Sequence, residues 1–302
     1  MHVRELMIKT LPPVAKRALL RQRDTLIDGV IKVRQIAGRK GGLPQFIIIG
    51  GQKCGTTFLY DRLNQHPDVR PCLFDALNDG EIHYFHRRFC EGPDWYRAFF
   101  PSQNGHDSAP VFSGEASGYI YYPHAPARIR ALIPDARLIA LLRNPVDRAY
   151  SHYQHEARLG FESLSFAEAI DREPERLTGE YERVKADPSY FSFNRNHFSY
   201  LERGIYADQL PWWWEVFPKE HLMIVQSEQL YREPQATLQS ITEFTGLPSW
   251  TPPPYSGHKS YGYEKLDDAL RQSLRKFFKP HNERLFNMLG VDYGWNDNAA
   301  GA

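Results

Sequence analysis

Phe46-Ile47-Ile48-Ile49-Gly50-Gly51-Gln52-Lys53-Cys54-Gly55-Thr56-Thr57-Phe58-Leu59-Tyr60 decides how this 302-residue chain folds. Its first four residues are apolar and mostly β-branched, the pattern of a short strand buried on both faces of a parallel sheet. Gly50, Gly51 and Gly55 follow, and Thr56 to Leu63 opens a helix with Leu59 and Leu63 one turn apart. Strand, glycine loop and helix start form a cradle for phosphate, because glycines let backbone N–H groups approach and a helix N-terminus favours an anion. The plainer alternative is an ordinary strand-turn-helix in which Gly50 and Gly51 serve only a tight turn.

The spacing narrows the kind of cradle. Gly50 and Gly55 stand where the nucleotide-triphosphate motif G-x-x-x-x-G-K-[ST] has its glycines. The position after Gly55 is Thr56, however, and the lysine lies inside the loop at Lys53. The loop therefore offers backbone donors, two hydroxyls and one cation. It resembles the 5′-phosphosulfate loop of sulfotransferases that use 3′-phosphoadenosine 5′-phosphosulfate (PAPS), whose pattern is Lys-x-Gly-Thr-Thr.

A second apolar strand, Arg137 to Leu142, runs into Arg143-Asn144-Pro145-Val146-Asp147-Arg148-Ala149-Tyr150-Ser151. Asn144 suits a helix cap and Pro145 a first turn that needs no backbone donor. Ser151 lies about two helical turns on. Alone, this turn is equally a structural salt bridge. With the first loop, 90 residues earlier at Lys53, it resembles the 3′-phosphate segment of the same family, in the family's order.

The resemblance implies an α/β fold, a central parallel sheet flanked by helices in the P-loop NTPase-like sulfotransferase arrangement. It covers residues 44–295, between a helical extension at 1–43 and a tail at 296–302. It implies that Lys53, Cys54, Gly55, Thr56 and Thr57 hold the 5′-phosphosulfate, with backbone N–H groups contributed from Cys54 through Thr57. Arg143 and Ser151 hold the 3′-phosphate, and Lys259, Ser260 and Tyr261 close over the nucleotide. Glu81-Ile82-His83-Tyr84-Phe85 reads as a strand-like run and resembles the Glu-x-His-Phe-Phe segment of heparan sulfate N- and 3-O-sulfotransferases. Glu81 is then the candidate base that takes the acceptor's proton. His83 is the rival, since imidazole titrates near neutrality, and on a regular strand both share one face. The heparan-type lysines expected beside these segments are replaced by Gly80 and Ala116, which implies a less anionic acceptor: a neutral saccharide, a lipid or a secondary metabolite. Hydroxyl and amine acceptors both remain open. The rival readings are an ATP-dependent kinase with a degenerate P-loop and a non-catalytic binding protein on the same scaffold.

Composition bounds the rest. A hydrophobic fraction of 42% allows a large core, and a formal net charge of +1 argues against a nucleic-acid binder that works by bulk electrostatics. Cys54, Cys72 and Cys90 are too few for a disulfide scaffold, which points to a reducing cytoplasm. His83, His86 and Cys90 lack a second ligand cluster, so no metal is expected. No run is long enough to span a membrane, and the resemblance is to a bacterial relative without the Golgi anchor. The basic extension reads as one or two helices, packed on the domain, on another subunit of a homo-oligomer, or on a membrane surface. Further strands are expected at Val111–Glu115 and Leu222–Val225. Residues 161–200 read as polar and irregular, with a helix only at Phe166–Ile170. One or two of Trp212, Trp213 and Trp214 are expected in the core, and a last helix carries Leu266, Leu270, Leu274, Phe277 and Phe278.

Overall fold

A computed structural model describes residues 11–38, 41–74, 80–101, 113–253 and 264–297. Among them, four parallel strands form one sheet in the order β2-β1-β3-β4. They are β1 (Phe46–Gly50), β2 (Gly114–Ala116), β3 (Arg137–Leu142) and β4 (Leu222–Gln226). Every residue of β1 is buried, as expected where helices cover both faces of a parallel sheet. Ile47 lies between Glu115 and Leu138 in register, and the β1–β3 ladder shifts between Ile48 and Gly50 as the chain leaves for the glycine loop.

The helices follow the sequence pattern with instructive exceptions. Helix α1 (Pro13–Ile36) packs Ile27 and Ile31 into the main core. Helix α2 (Thr56–Leu63) leaves the glycine loop and packs beside β2; α3 (Pro93–Arg97) meets α1, and α4 (Ala125–Leu132) packs on the turn at Tyr84–Arg88. Helix α5 (Pro145–Leu159) starts as read, with Asn144 Oδ1 accepting from the Val146 N–H at 3.0 Å. The stretch 161–200 corrects its reading as irregular. It holds α6 (Phe166–Leu177), α7 (Glu180–Ala186) and α8 (Phe193–His197). A capping box of Ser165 and Glu168 starts α6, and Glu173 is buried on it, accepting from the Leu201 and Glu202 N–H groups. Glu173 is thus a buried partner of backbone donors in a stretch whose composition is polar.

Helix α9 (Tyr206–Trp214) buries Trp213, whose Nε1–H donates to the Ile120 carbonyl at 3.2 Å, while Trp212 and Trp214 are half-buried. Short α10 (Ser227–Arg232) and α11 (Pro234–Thr245) follow β4. Helix α12 (Asp268–Leu289) is capped by Asp267, so Leu266 precedes it, and it continues through Pro280. Its Phe278 is buried, whereas Phe277 is 41% exposed.

Glu115 on β2 is fully buried, and its carboxyl is pushed up to about 8 by burial, which the nearby Tyr119 and Tyr96 hydroxyls only partly offset. A raised folded-state pKa favours the protonated native form, so the associated stability is complete below about 4.5 and is lost as pH rises through about 8. Glu115→Gln keeps the shape without the ionisation. Urea unfolding of both proteins at pH 5 and pH 8.5 should show the variant gaining stability relative to wild type at the higher pH. An identical difference at both pH values would contradict this.

Candidate active site

The Lys53 and Arg143 loops leave the carboxyl ends of the adjacent strands β1 and β3, where ligands of open α/β sheets sit. The first is pinned to its neighbour by the Gly51 N–H, which donates to the Leu141 carbonyl of β3 at 2.6 Å. The Cys54 N–H closes a turn onto the Gly51 carbonyl at 3.1 Å, and the Ser227 hydroxyl donates to the Cys54 carbonyl. Gly55 has φ 89°, and a Cβ there would lie 2.4 Å from the Tyr231 hydroxyl oxygen, so only glycine fits between loop and α10. The first helical hydrogen bond of α2 is Leu59 N–H to the Gly55 carbonyl, at 3.1 Å. Thr56 and Thr57 thus stand at the N-terminus of α2, where a helix favours an anion. The Cys54 amide is engaged in the loop's own turn.

The second loop lies against the first. Arg143 is half-buried, and its Nη1 donates to the Lys53 carbonyl at 3.2 Å. The Tyr206 hydroxyl donates to the Arg143 carbonyl at 2.9 Å and stands 3.6 Å from Cys54 Sγ. Glu228 accepts the Asn144 N–H at 2.8 Å. Ser151 is buried on α5. Tyr206 and Glu228 therefore hold the two loops together, a role that sequence alone did not show. Lys259, Ser260 and Tyr261 lie outside the described residues.

Lys53 sits in left-handed backbone at φ 66° and is half-buried. Burial first, and then the Arg158 and Arg143 charges, bring its ammonium down to about 8, against the opposing pull of Glu81 and Glu156. Its charge is thus felt by an acidic group outside the loop.

That group is Glu81, in a different local structure from the one expected. Residues 81–83 are not a strand: His83 has φ 58°, and a π-helical turn follows at Tyr84–Arg88. The amides that a strand would pair are taken by side chains behind β2. The His83 N–H donates to Ser117 Oγ at 3.3 Å and the Tyr84 N–H to the Tyr119 hydroxyl at 3.1 Å. Tyr84 also stacks on Tyr96 with ring centroids 4.6 Å apart. The bend still brings Glu81 Oε2 within 3.4 Å of His83 Nε2. Although 46% of the Glu81 side chain is open to solvent, the surrounding protein removes enough water to raise its pKa. The hydrogen bond and charge of His83, with His155 and Lys53, outweigh that and hold the carboxylate below its usual range. Just before it, Gly80 has φ 75°, and its carbonyl accepts the Ala116 N–H at 3.1 Å. The two positions that lack lysines are thus hydrogen-bonded neighbours beside the carboxylate. A Cβ at Gly80 would lie 2.4 Å from the Tyr60 ring.

Helix α5 adds residues that the motifs did not include. His155 follows Ser151 by one turn, the spacing that puts two side chains on one helix face. Burial, then Lys53, lowers its pKa to about 4, so it is neutral at physiological pH. Its Nδ1 is 3.2 Å from Arg158 Nη2. Behind it, Glu156 pairs with His197 at 2.7 Å and with buried His152 at 3.4 Å. Burial opposes its ionisation, but those two histidines keep its carboxylate down at about 2.

A Sulfotransferase domain model matches residues 43–282. The chain belongs to the sulfotransferase family. This sulfotransferase is 28% identical over 284 residues to human heparan sulfate glucosamine 3-O-sulfotransferase 6, covering 83% of this chain and 73% of that protein. It is also 28% identical over 277 residues to human bifunctional heparan sulfate N-deacetylase/N-sulfotransferase 3, covering 82% of this chain but only 30% of that longer protein. A crystal structure of a sulfotransferase from Alicyclobacillus acidocaldarius superposes with a TM-score of 0.65 at 28% identity, covering 85% of this chain and all of that one. The enzyme is a PAPS-dependent sulfotransferase, and the parallel sheet and strand-end loops are those of the family fold.

Charge-assisted bonds to phosphate contribute about 1.5–3 kcal/mol each. Arg143→Ala should therefore weaken 3′-phosphoadenosine 5′-phosphate by about ten- to a hundredfold and leave adenosine 5′-phosphate nearly unchanged, as read by calorimetry. Equal losses for both would make Arg143 a purely structural brace of the Lys53 loop.

Proposed function

We propose that this enzyme transfers the sulfuryl group of PAPS to a hydroxyl on a weakly charged acceptor, with Glu81 as the base and Lys53 as the electrostatic catalyst. The observation that carries this reading is the Glu81–His83 pair at 3.4 Å, whose carboxylate is held below its usual range by His83 with help from His155 and from Lys53 of the glycine loop. The Thr56 and Thr57 N–H groups and hydroxyls hold the 5′-phosphosulfate, and Arg143 with Ser151 holds the 3′-phosphate. As the acceptor oxygen bonds to sulfur, its proton passes to the Glu81 carboxylate. The bond from sulfur to the bridging oxygen breaks, and the Lys53 ammonium stabilises the charge that develops there. His83 orients the Glu81 carboxylate, and neutral His155 offers a hydrogen bond to the acceptor or to Lys53.

The heparan sulfate enzymes among the relatives favour a saccharide acceptor. Gly80 and Ala116 favour one with less negative charge than heparan, because no cation stands at either position beside Glu81. We place the enzyme in a reducing, bacterial cytoplasm, a reading supported by Cys54, Cys72 and Cys90 as free thiols and by the bacterial structural neighbour.

Two ionisations shape the pH profile of kcat/KM, which reports the free enzyme. Glu81 must be ionised, and its pKa lies below 4.5, so activity should persist into mildly acidic solution. Lys53 must be protonated, so activity should fall as pH rises through about 8. Lys53→Arg should move that alkaline fall upward. Glu81→Gln should lower turnover by about 10²–10⁴-fold with little change in nucleotide affinity, and His83→Asn should cost less. Near-normal turnover in Glu81→Gln together with abolished turnover in His83→Asn would transfer the base to His83.

A further inference from the structure

Near the end of α5, Arg158 stands three residues after His155, the spacing at which two side chains meet on a helix face. Both are half-buried, and Arg158 Nη2 lies 3.2 Å from His155 Nδ1. The contact fixes more than position. A guanidinium offers only N–H donors, has no acceptor and keeps its protons in a protein. His155 Nδ1 is therefore the acceptor, with its lone pair toward Arg158. A neutral imidazole holds one ring proton, so that proton is on Nε2. The imidazolium and the Nδ1–H tautomer would each set N–H against N–H.

The surroundings support this arrangement. A carboxylate at Nδ1 would draw the proton there, and Glu156 is the acid next in sequence. Its oxygens are instead turned to His197 at 2.7 Å and His152 at 3.4 Å. The backbone of Arg158 is held from outside the helix: its carbonyl accepts from Lys16 Nζ at 3.3 Å. The Leu159 and Gly160 carbonyls accept from Arg17 Nη1 at 3.3 and 2.6 Å. A helix end leaves its last carbonyls without intrahelical partners, and cations are favoured beside them. Helix α1, which precedes the family match at residue 43, thus steadies the end of α5.

With Nδ1 taken, His155 can serve the reaction only as a donor. Lys53 and Glu81 are charges from other segments that reach it. A protonated Lys53 has donors alone and cannot receive the Nε2–H. Oxygen can, and the oxygens that the reaction brings between Glu81 and Lys53 belong to the acceptor hydroxyl and the sulfuryl group.

We infer that Arg158 is a positioning residue, which fixes His155 as the Nε2–H tautomer so that it donates to an oxygen of the acceptor or of the sulfuryl group. The tautomer follows from the Arg158–His155 contact alone, whereas its use in the reaction rests on the roles proposed above for Glu81 and Lys53.

The test is ¹⁵N NMR, near neutral pH, of the full chain labelled in its 12 histidines, with the His155 signals identified by their loss in His155→Gln. Correlations from the ring carbon-bound protons distinguish a protonated nitrogen from a bare one. Wild type should show a bare Nδ1 and a protonated Nε2. Arg158→Glu replaces the donor by an acceptor and should protonate Nδ1. Arg158→Lys still only donates and should keep the wild-type pattern. Turnover adds a double-mutant cycle: Arg158→Glu should lower kcat about tenfold more with His155 present than in His155→Gln. The altered charge near Lys53 is common to both backgrounds, and only the first has a tautomer to lose. Arg158→Lys should recover most of that loss. A protonated Nδ1 in wild type, an unchanged tautomer in Arg158→Glu, or equal losses in the two backgrounds would overturn the proposal. The spectra need no turnover, so a failure of Glu81 as the base would show in Glu81→Gln and leave the His155 pattern unchanged.

Discussion

The parallel pairing of β1 with β3 is the constraint on which the site depends. It puts Lys53 and Arg143, 90 residues apart in the chain, at the ends of neighbouring strands, where the Arg143 guanidinium reaches the Lys53 carbonyl at 3.2 Å. Two cation-bearing loops are costly to hold close together before an anion arrives, since their charges repel in a partly buried setting. The structure offsets this with neutral and acidic braces: Tyr206 bridges both loops, Ser227 holds the Cys54 carbonyl, and Glu228 accepts the Asn144 amide. Tyr206 opens α9, and Ser227 and Glu228 open α10 directly after β4, so the braces come from outside the two loops.

The same electrostatic tension prepares the chemistry. Desolvation and neighbouring arginines bring Lys53 down to about 8, still protonated near neutrality but ready to respond to new negative charge. Across the cleft, Glu81 stays ionised because His83 sits 3.4 Å away and Lys53 and His155 lie beyond it. The proposed roles follow from this pairing of a carboxylate with a cation, since a displacement at sulfur needs a base on the attacking side and positive charge on the leaving side. Gly80 and Ala116 leave the flank of Glu81 uncharged. The clash a Cβ would make with the Tyr60 ring shows that the absence of a side chain at Gly80 is built into the packing.

What was legible in the sequence was local. The Phe46–Tyr60 loop and the Arg143–Ser151 turn carry their structure in adjacent residues, because glycine conformation, a proline at the first helical turn and an Asn cap act over a few positions. The Glu81 run was misread as a strand because Ile82, Tyr84 and Phe85 have strand-like character, whereas its amides are taken by Ser117 and Tyr119 from another segment. The helices at 166–197 were hidden for a related reason. Buried acids such as Glu173, and Glu162 just before them with Arg176 at 2.5 Å, look like solvated surface in a one-dimensional pattern. Tyr206 had no local signal at all. His155 had one, its spacing of one turn from Ser151 on the same helix.

Calorimetry of 3′-phosphoadenosine 5′-phosphate against ATP, each with and without Mg²⁺, tests the central claim most directly. A nucleoside-triphosphate site holds Mg²⁺ between phosphates with a loop hydroxyl and a strand-end acid; here β3 ends before Arg143. The account predicts that the 3′-phosphorylated nucleotide binds without Mg²⁺ and more tightly than ATP. Mg²⁺-dependent ATP binding with no preference for the 3′-phosphate would contradict it.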